Sequence, residues 1–270
     1  MPELPEVETV VRALRPHLVG HTIQDVRNQW PRHIARPDLP ELRLRVQGLQ
    51  VESLTRRAKY IIAQLSGGEY LLFHLKMTGH LAVVSADEPV AKHTHTVFVL
   101  DGSAELRFTD TRKFGRVYLV RDLGDVLTGL GPEPLEADFT AAILQERLQK
   151  HKRAIKPTLL DQAVLAGVGN IYADEALHEA GIHPARPAHS LSQAEIAALH
   201  AGIQQVLNLG IEREGASISN YVKPDGTKGD MQNAVAVFRR TGMSCYRCGR
   251  GIERIVLGGR STHFCPGCQV

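Results

Sequence analysis

Two clusters of residues at opposite ends of this 270-residue chain combine reactive types with useful spacing. The first is the opening Met1-Pro2-Glu3-Leu4-Pro5-Glu6. If the initiator Met is removed, as a small second residue permits, the chain begins with a secondary amine. An α-amino group titrates near roughly 7.7–8.0, so a useful fraction is neutral at physiological pH and can attack a sugar C1′ to give an iminium. Glu3 is adjacent and Glu6 follows one turn later, so a carboxyl and a carboxylate would serve proton transfer and electrostatics at that amine. The same pair also suits the first turn of any helix, where negative charge meets the positive end of the dipole. Spacing alone leaves both readings open.

The second cluster is Cys245-x2-Cys248 and Cys265-x2-Cys268, with sixteen residues between the pairs. Two thiolates three residues apart on a tight turn can face one ion, and two such turns complete a tetrahedral sulfur shell. Four thiolates leave no open position, so one structural Zn2+ is expected rather than a catalytic metal. The opposing reading, a pair of disulfides, needs an oxidising compartment. The acidic, proline-broken N-terminus lacks the basic start and apolar run of a secretory signal, which points to a cytoplasmic protein. Between the cysteine pairs, Ile252–Leu257 and Ser261–Phe264 flank Gly258-Gly259-Arg260 and predict a β-hairpin with Arg260 at its tip. From Ala236 onward there are six arginines against one acid, Glu253, in a chain whose net charge is only +3. Concentrated charge of this kind suits a phosphate backbone, although zinc ribbons also serve as purely structural or protein-binding modules.

Between these ends, Lys156 to Glu175 contains two helical stretches meeting at Gly167-Val168-Gly169. This turn predicts Asn170 at the N-cap of the second helix, beside free backbone amides that could seat a phosphate. Lys156, Lys152 and Arg153 are the nearby cations. An ordinary capped helical hairpin explains the same residues.

Elements must position these groups. Leu4, Val7, Val10, Val11, Leu14 and Leu18 recur at helical spacing, predicting a helix over 5–18 that Gly20 ends. Short β-type runs follow at Val46–Leu54, Tyr60–Leu65, Tyr70–Leu75, Thr96–Leu100, Leu106–Thr109 and Val117–Val120, reading as a β-sandwich or barrel. Past Gly131-Pro132-Glu133-Pro134 the composition turns helical, at 138–149, 156–166, 170–180 and 192–209. The division is residues 1–134, 135–235 and 236–270. No apolar run approaches the roughly 20 residues that span a bilayer, so no membrane segment is expected.

Several motifs together carry a family resemblance: Met1 to Thr9, Arg57-Ala58-Lys59-Tyr60, His74-Leu-Lys-Met77-Thr-Gly, Lys92-His93-x-His95, Thr109-Asp-x-Arg112-x-Phe114-Gly, Gly167-Val-Gly-Asn170-Ile-Tyr-Ala-Asp-Glu and the terminal cysteines. In this order they resemble bacterial formamidopyrimidine-DNA glycosylase, from the first residue to Cys268. The departure is Ala58, where the family commonly has Gly; we read it as a strand residue. Some residues of the Lys92–His95 segment also differ.

The resemblance implies an α+β protein: an N-terminal helix with a β-sandwich, a central helix-two-turn-helix domain and a C-terminal β-hairpin zinc ribbon. It implies base-excision removal of oxidised purines from duplex DNA by a monomer, followed by AP-lyase β,δ-elimination. Pro2 would form the Schiff base, Glu3 would move protons, Glu6 would support the reacting sugar, Lys59 would assist the first elimination and Arg260 the second. Because an arginine stays charged, Arg260 reads as an electrostatic clamp. Met77, Arg112 and Phe114 would fill the void left by base extrusion, which costs a few kcal/mol. His74, His93, Lys152, Lys156 and Asn170 would hold the DNA backbone. The turn-rich segment 217–229, with Tyr221 and Lys228, would cover the extruded base. The alternatives are an endonuclease VIII-like enzyme for oxidised pyrimidines, and a non-catalytic zinc-ribbon DNA-binding protein.

Overall fold

The computed structural model describes residues 1–218 and 220–270; Ser219, inside the 217–229 segment, lies outside the described residues. The chain forms two compact units, Met1–Thr128 with Glu214–Asp230, and Gly129–Arg213 with Met231–Val270.

In the first unit, helix α1 (Leu4–Leu18) precedes β1 (Ile23–Asn28), β2 (Ile34–Arg36), α2 (Leu39–Val46), β3 (Val51–Arg57), β4 (Tyr60–Leu65), β5 (Glu69–His74), β6 (Gly79–Ser85), β7 (Thr94–Leu100), β8 (Ala104–Asp110), β9 (Arg116–Val120) and the short α3 (Gly124–Leu127). Two sheets result, ordered β1-β7-β8-β6 and β2-β9-β5-β4-β3. The expected sandwich is therefore present. Alternation fixes its faces: Ile61 and Ala63 of β4 lie opposite Phe73 and Leu71 of β5 and point into the core. Ile62 and Leu72 pair between them and turn to the other face, toward Val126 and Leu127. Phe73 meets Phe98 and Phe108 edge-on, with centroids 5.6 and 6.0 Å away, and so ties one sheet to the other.

The six apolar residues that predict α1 are all buried and form its core-facing stripe. Pro5 sits in its first turn, where a missing N–H costs nothing. One expectation fails at 46–54, because the strand begins at Val51 and Val46 ends a helix instead. The signal was local: the Asp38 side chain accepts from Glu41 N at 3.0 Å, an N-cap followed by Pro40.

The second unit comprises α4 (Ala141–Gln149), α5 (Ile155–Leu159), α6 (Asn170–Glu179), α7 (Gln193–Glu212), β10 (Glu253–Leu257) and β11 (Arg260–Phe264). The helix expected over 156–166 stops at Leu159. Asp161 then turns the chain, accepting Ala163 N at 3.1 Å and pairing with Arg153 at 2.6 Å, and Gln162 bonds both Gly167 N and Val168 O. These are the two turns between the helices. Helix α7 opens on a capping box between Ser192 and Glu195 and packs against α6.

Two buried imidazoles in the first unit resist protonation. Burial holds His33 down at about 4 and His74 at about 3. Their unfolded value is near 6.5, so as pH falls from there toward 4 the unfolded chain takes up protons that the folded chain refuses, and stability declines. Urea unfolding between pH 7 and pH 4.5 should show this fall. His33→Asn should flatten it by up to about 1.4 kcal/mol per pH unit. An unaltered slope in that variant would contradict the assignment.

Candidate active site and nucleic-acid interface

Pro2, Glu3 and Glu6 lie together and buried at the start of α1. Glu3 takes the N-cap position, and its N–H donates to Glu6 Oε2 at 2.8 Å as half of a capping box. The other Glu6 oxygen, Oε1, accepts Ala216 N at 2.8 Å. One carboxylate thus holds both the first residues and the segment that returns at 214–230. Met1 is 47% exposed. While it is attached, the Pro2 nitrogen is a tertiary amide; its removal would create the secondary amine.

Lys59 is buried, at 5% exposure, in the two-residue turn joining β3 to β4. Ala58 beside it is a turn residue with φ +52°, not a strand residue as its sequence position suggested. That left-handed geometry suits glycine, since a Cβ costs roughly 1–2 kcal/mol in it.

In the 214–230 segment, Tyr221 belongs to the first unit's core and its hydroxyl donates to Glu214 O at 3.1 Å. Burial, with the Glu6 charge next, pushes its phenol up. Tyr221 therefore anchors the segment rather than presenting a contact surface. Lys228 is exposed, and His80 Nε2 meets Lys223 O at 3.0 Å.

Met77, Arg112 and Phe114 come together. Arg112 Nη1 lies 3.0 Å from Met77 Sδ, and its guanidinium stands 4.9 Å from the Phe114 ring centroid. Met77 is 39% and Phe114 47% exposed, so two large apolar side chains and a cation share one projecting cluster. The three residues grouped in the sequence analysis thus lie together, and neither apolar side chain is a core residue. His74, at the base of the Met77 loop, accepts Lys76 N on Nδ1 at 3.0 Å and packs edge-on against Tyr60. Its pKa near 3 leaves it neutral, with the proton on Nε2. His93 is half-buried against His95, and its carbonyl accepts Asp110 N at 2.9 Å.

In the second unit, Asn170 is the first helical residue of α6 and Gly169 takes the N-cap, one position from the expectation. Asn170 Nδ2 and Lys156 Nζ both donate to Ser261 O, at 3.1 and 2.7 Å. Lys156 has no exposed surface and pairs with Asp174 at 2.7 Å. Asp174 in turn accepts His263 N at 3.0 Å, and Glu175 accepts the consecutive N–H groups of Ala236, Val237 and Phe238 at 2.6, 3.0 and 2.8 Å. Burial outweighs those three bonds and moves the Glu175 carboxyl up. Helix α6 therefore clamps the ribbon by both its entry segment, 236–238, and β11. Asp174 and Glu175 lie in the motif that opens at Gly167, and their spacing alone assigns them no task. Lys152 is exposed near the start of this region.

Arg260 opens β11 opposite Leu257, exposed, after the turn residues Gly258 and Gly259 at φ +55° and +72°. A two-residue hairpin with both φ positive requires glycine-like residues. Not every ribbon arginine is available to a ligand: Arg240 bonds Ala236 O and Ser244 O, and Arg247 pairs with Glu179.

The Sγ atoms of Cys245, Cys248, Cys265 and Cys268 all lie within 4.8 Å of one another, and the cysteines are not disulfide-bonded. Zinc–sulfur bonds of ~2.3 Å in a tetrahedron require sulfurs ~3.8 Å apart; Cys245 and Cys268 stand at 3.9 Å, Cys248 and Cys265 at 3.4 Å. The donor set fits one structural zinc.

Comparison with known proteins agrees with this geometry. Residues 1–117 match the Formamidopyrimidine-DNA glycosylase N-terminal domain, 130–222 the Formamidopyrimidine-DNA glycosylase H2TH domain, and 245–270 the Zinc finger found in FPG and IleRS. The chain is 50% identical to the formamidopyrimidine-DNA glycosylase of Herpetosiphon aurantiacus and 46% identical to that of Geobacillus kaustophilus, each over 100% of both chains. Among solved structures, it resembles a Lactococcus lactis FPG mutant in complex with a Fapy-dG containing DNA, at TM-score 0.92 and 38% identity over 99% of both chains. The Lactococcus lactis Fpg complex with an abasic site containing DNA gives the same TM-score and identity.

Zinc supplies folding energy to such ribbons, about 10–16 kcal/mol in zinc-finger peptides. Elemental analysis should find one zinc per chain. Stripping it, or replacing Cys265→Ser, should accelerate hydrogen exchange of the β10 and β11 amides at least about a hundredfold. Full amide protection in metal-free protein would refute the structural role.

Proposed function

The chain belongs to the formamidopyrimidine-DNA glycosylase family, and on that premise we propose how its own residues carry out the reaction. It is a base-excision-repair DNA glycosylase of oxidised purines and an AP lyase, and its partner is damaged duplex DNA. The observation that carries the assignment of roles is the buried Glu3–Glu6 capping pair, which holds the residue next to Pro2 at the start of α1. No helix among the described residues is long and apolar enough to cross a membrane, and the matched relatives are bacterial; we place the enzyme in the cytoplasm with its DNA.

With Met1 removed, the neutral Pro2 amine attacks C1′ of the damaged nucleotide. The C1′–N9 bond breaks, its electron pair leaves with the base, and Glu3 delivers the proton that the departing base requires. The attached amine then loses its proton, and as the C1′–O4′ bond breaks, with its electron pair and a proton going to O4′, the ring-opened sugar becomes a C1′ iminium. This cation acidifies the C2′ hydrogen, whose removal expels the 3′ phosphate by β-elimination; a second elimination expels the 5′ phosphate. Glu6 has both oxygens engaged with backbone N–H groups, so we assign it to holding Glu3 and the 214–230 segment in place rather than to proton transfer. Lys59, buried beside its left-handed turn, would assist the first elimination, and exposed Arg260 would neutralise a flanking phosphate.

Met77, Arg112 and Phe114 would enter the stack together, the thioether and ring as apolar wedges and the guanidinium toward the unpaired base. His74 would offer a phosphate a neutral Nε2–H, while His93, Lys152 and the start of α6 at Asn170 would hold the backbone. Lys156 and Tyr221 are buried and would act indirectly, through the Arg260 hairpin and the 214–230 segment, with Lys228 the exposed cation of that segment. Full-length relatives and both larger domains of the purine enzyme's family favour this reading over the endonuclease VIII-like one.

Borohydride reduction should trap a covalent adduct on duplexes carrying 8-oxoguanine opposite cytosine. Glu3→Gln should lower single-turnover base release by about 10²–10⁴-fold while DNA binding persists. A stronger adduct with an oxidised pyrimidine would transfer the enzyme to the sister activity, and no adduct at all would remove the Schiff base.

A further inference from the structure

The wedge residues sit on two separate connections, β5 to β6 for Met77 and β8 to β9 for Arg112 and Phe114. Each connection contains a residue in the left-handed region immediately before an exposed apolar side chain: Lys76 at φ +53° precedes Met77, and Lys113 at φ +61° precedes Phe114. Non-glycine residues hold such angles only where their surroundings over-determine them.

The surroundings converge on Asp110, the last residue of β8, which has no exposed surface. Its Oδ2 accepts Gly115 N at 2.6 Å, and its Oδ1 accepts Arg112 N at 3.1 Å and the Thr78 hydroxyl. Thr78 Oγ1 is also 3.1 Å from Arg112 N. One carboxylate therefore closes the 111–115 turn at both ends and, through Thr78, fastens the residue after Met77 to it. The space behind is full. A Cβ on Gly115 would lie 2.6 Å from the Phe108 ring, 2.8 Å from His33 Nε2 and 3.0 Å from Asp110 Oδ2. His95 Nε2 bonds Asp110 O at 2.9 Å, fixing the main chain at the same point.

We infer that Asp110 is the positioning residue of the stack-inserting cluster, acting through Thr78 to hold Met77, Arg112 and Phe114 in their inserted arrangement before DNA is met. This rests on the reading of those three residues as void fillers. Pre-forming the wedge means that binding does not have to order two loops at once, so the benefit appears in the step that extrudes the base. Asp110 touches no reacting atom. An abasic nucleotide has no base to unstack, and its cleavage depends less on the wedge.

The test compares the full-length enzyme with Asp110→Asn and Thr78→Val on two duplexes, one with 8-oxoguanine opposite cytosine and one with an abasic site opposite cytosine. Asp110→Asn replaces one acceptor oxygen with a donor; Thr78→Val removes only the hydroxyl and keeps the shape, which covers the case in which the aspartate variant fails to fold. Single-turnover rates on the 8-oxoguanine duplex should fall at least tenfold more than those on the abasic duplex, and Thr78→Ser should restore most of the loss seen in Thr78→Val. The ratio of excision opposite cytosine to excision opposite adenine should also shrink, because Arg112 no longer meets the unpaired base in a fixed pose. Equal losses on the two duplexes, or an unchanged opposite-base ratio, would overturn the assignment of Asp110 while leaving the enzyme's activity established by the wild type. A wild-type enzyme that forms no adduct on the 8-oxoguanine duplex would instead overturn the underlying reading, and the Asp110 assignment with it.

Discussion

Buried carboxylates bonded to main-chain N–H groups hold the working parts of this enzyme. Burying a carboxyl group costs free energy that hydrogen bonds in good geometry must offset, and at Glu175 burial outweighs even three of them. Glu6, Asp110, Asp174 and Glu175 are each no more than 4% exposed and each accept at least one backbone N–H. Every peg sits under a functional segment: Glu6 under the N-terminus and the 214–230 segment, Asp110 under the wedge, Asp174 and Glu175 under the ribbon. The constraint works in both directions, since losing the carboxylate also strands N–H groups at about 1–3 kcal/mol each.

This arrangement reconciles rigidity with exposure. The β-sandwich core and the α6–α7 pair supply packing, yet the proposed chemistry needs a guanidinium, a thioether and a phenyl ring presented outward. A loop that projects such groups buries little apolar surface of its own. Carboxylate pegs substitute for that burial: Glu6 and Asp110 lie within a few residues of Glu3 and Arg112, whereas Asp174 and Glu175 reach across more than sixty residues of sequence to the ribbon. The zinc site performs the same task in the ribbon by a different bond, tying two cysteine turns where six arginines repel one another.

Much of this was legible in the sequence. The period of the apolar residues located α1, and the short β-type runs at 60–65 and 70–75 located β4 and β5 within a residue. Cysteine spacing located the metal site, and the family resemblance pointed to the proposed reacting groups. What escaped were features set by long-range bonds. Lys156 reads as a surface cation because nothing in its neighbourhood announces that Asp174 and a strand a hundred residues later will enclose it. Ala58 reads as part of a strand because its φ is imposed by the β3–β4 register. Tyr221, in a polar stretch, is core because Glu6 draws that stretch onto α1. Asp110 lay inside a quoted motif, but its two loops meet only in the folded sheet.

The central claim is that the capped start of α1 delivers the Pro2 amine to the sugar. Peptide mapping by mass spectrometry of the borohydride-reduced protein–DNA adduct tests it most directly, because the reduced bond records which nitrogen attacked. The account predicts a chain lacking Met1, with the sugar remnant on residue 2 in the peptide ending at Arg12. A remnant on Lys59 or any other lysine, or an adduct formed by protein that retains Met1, would contradict it.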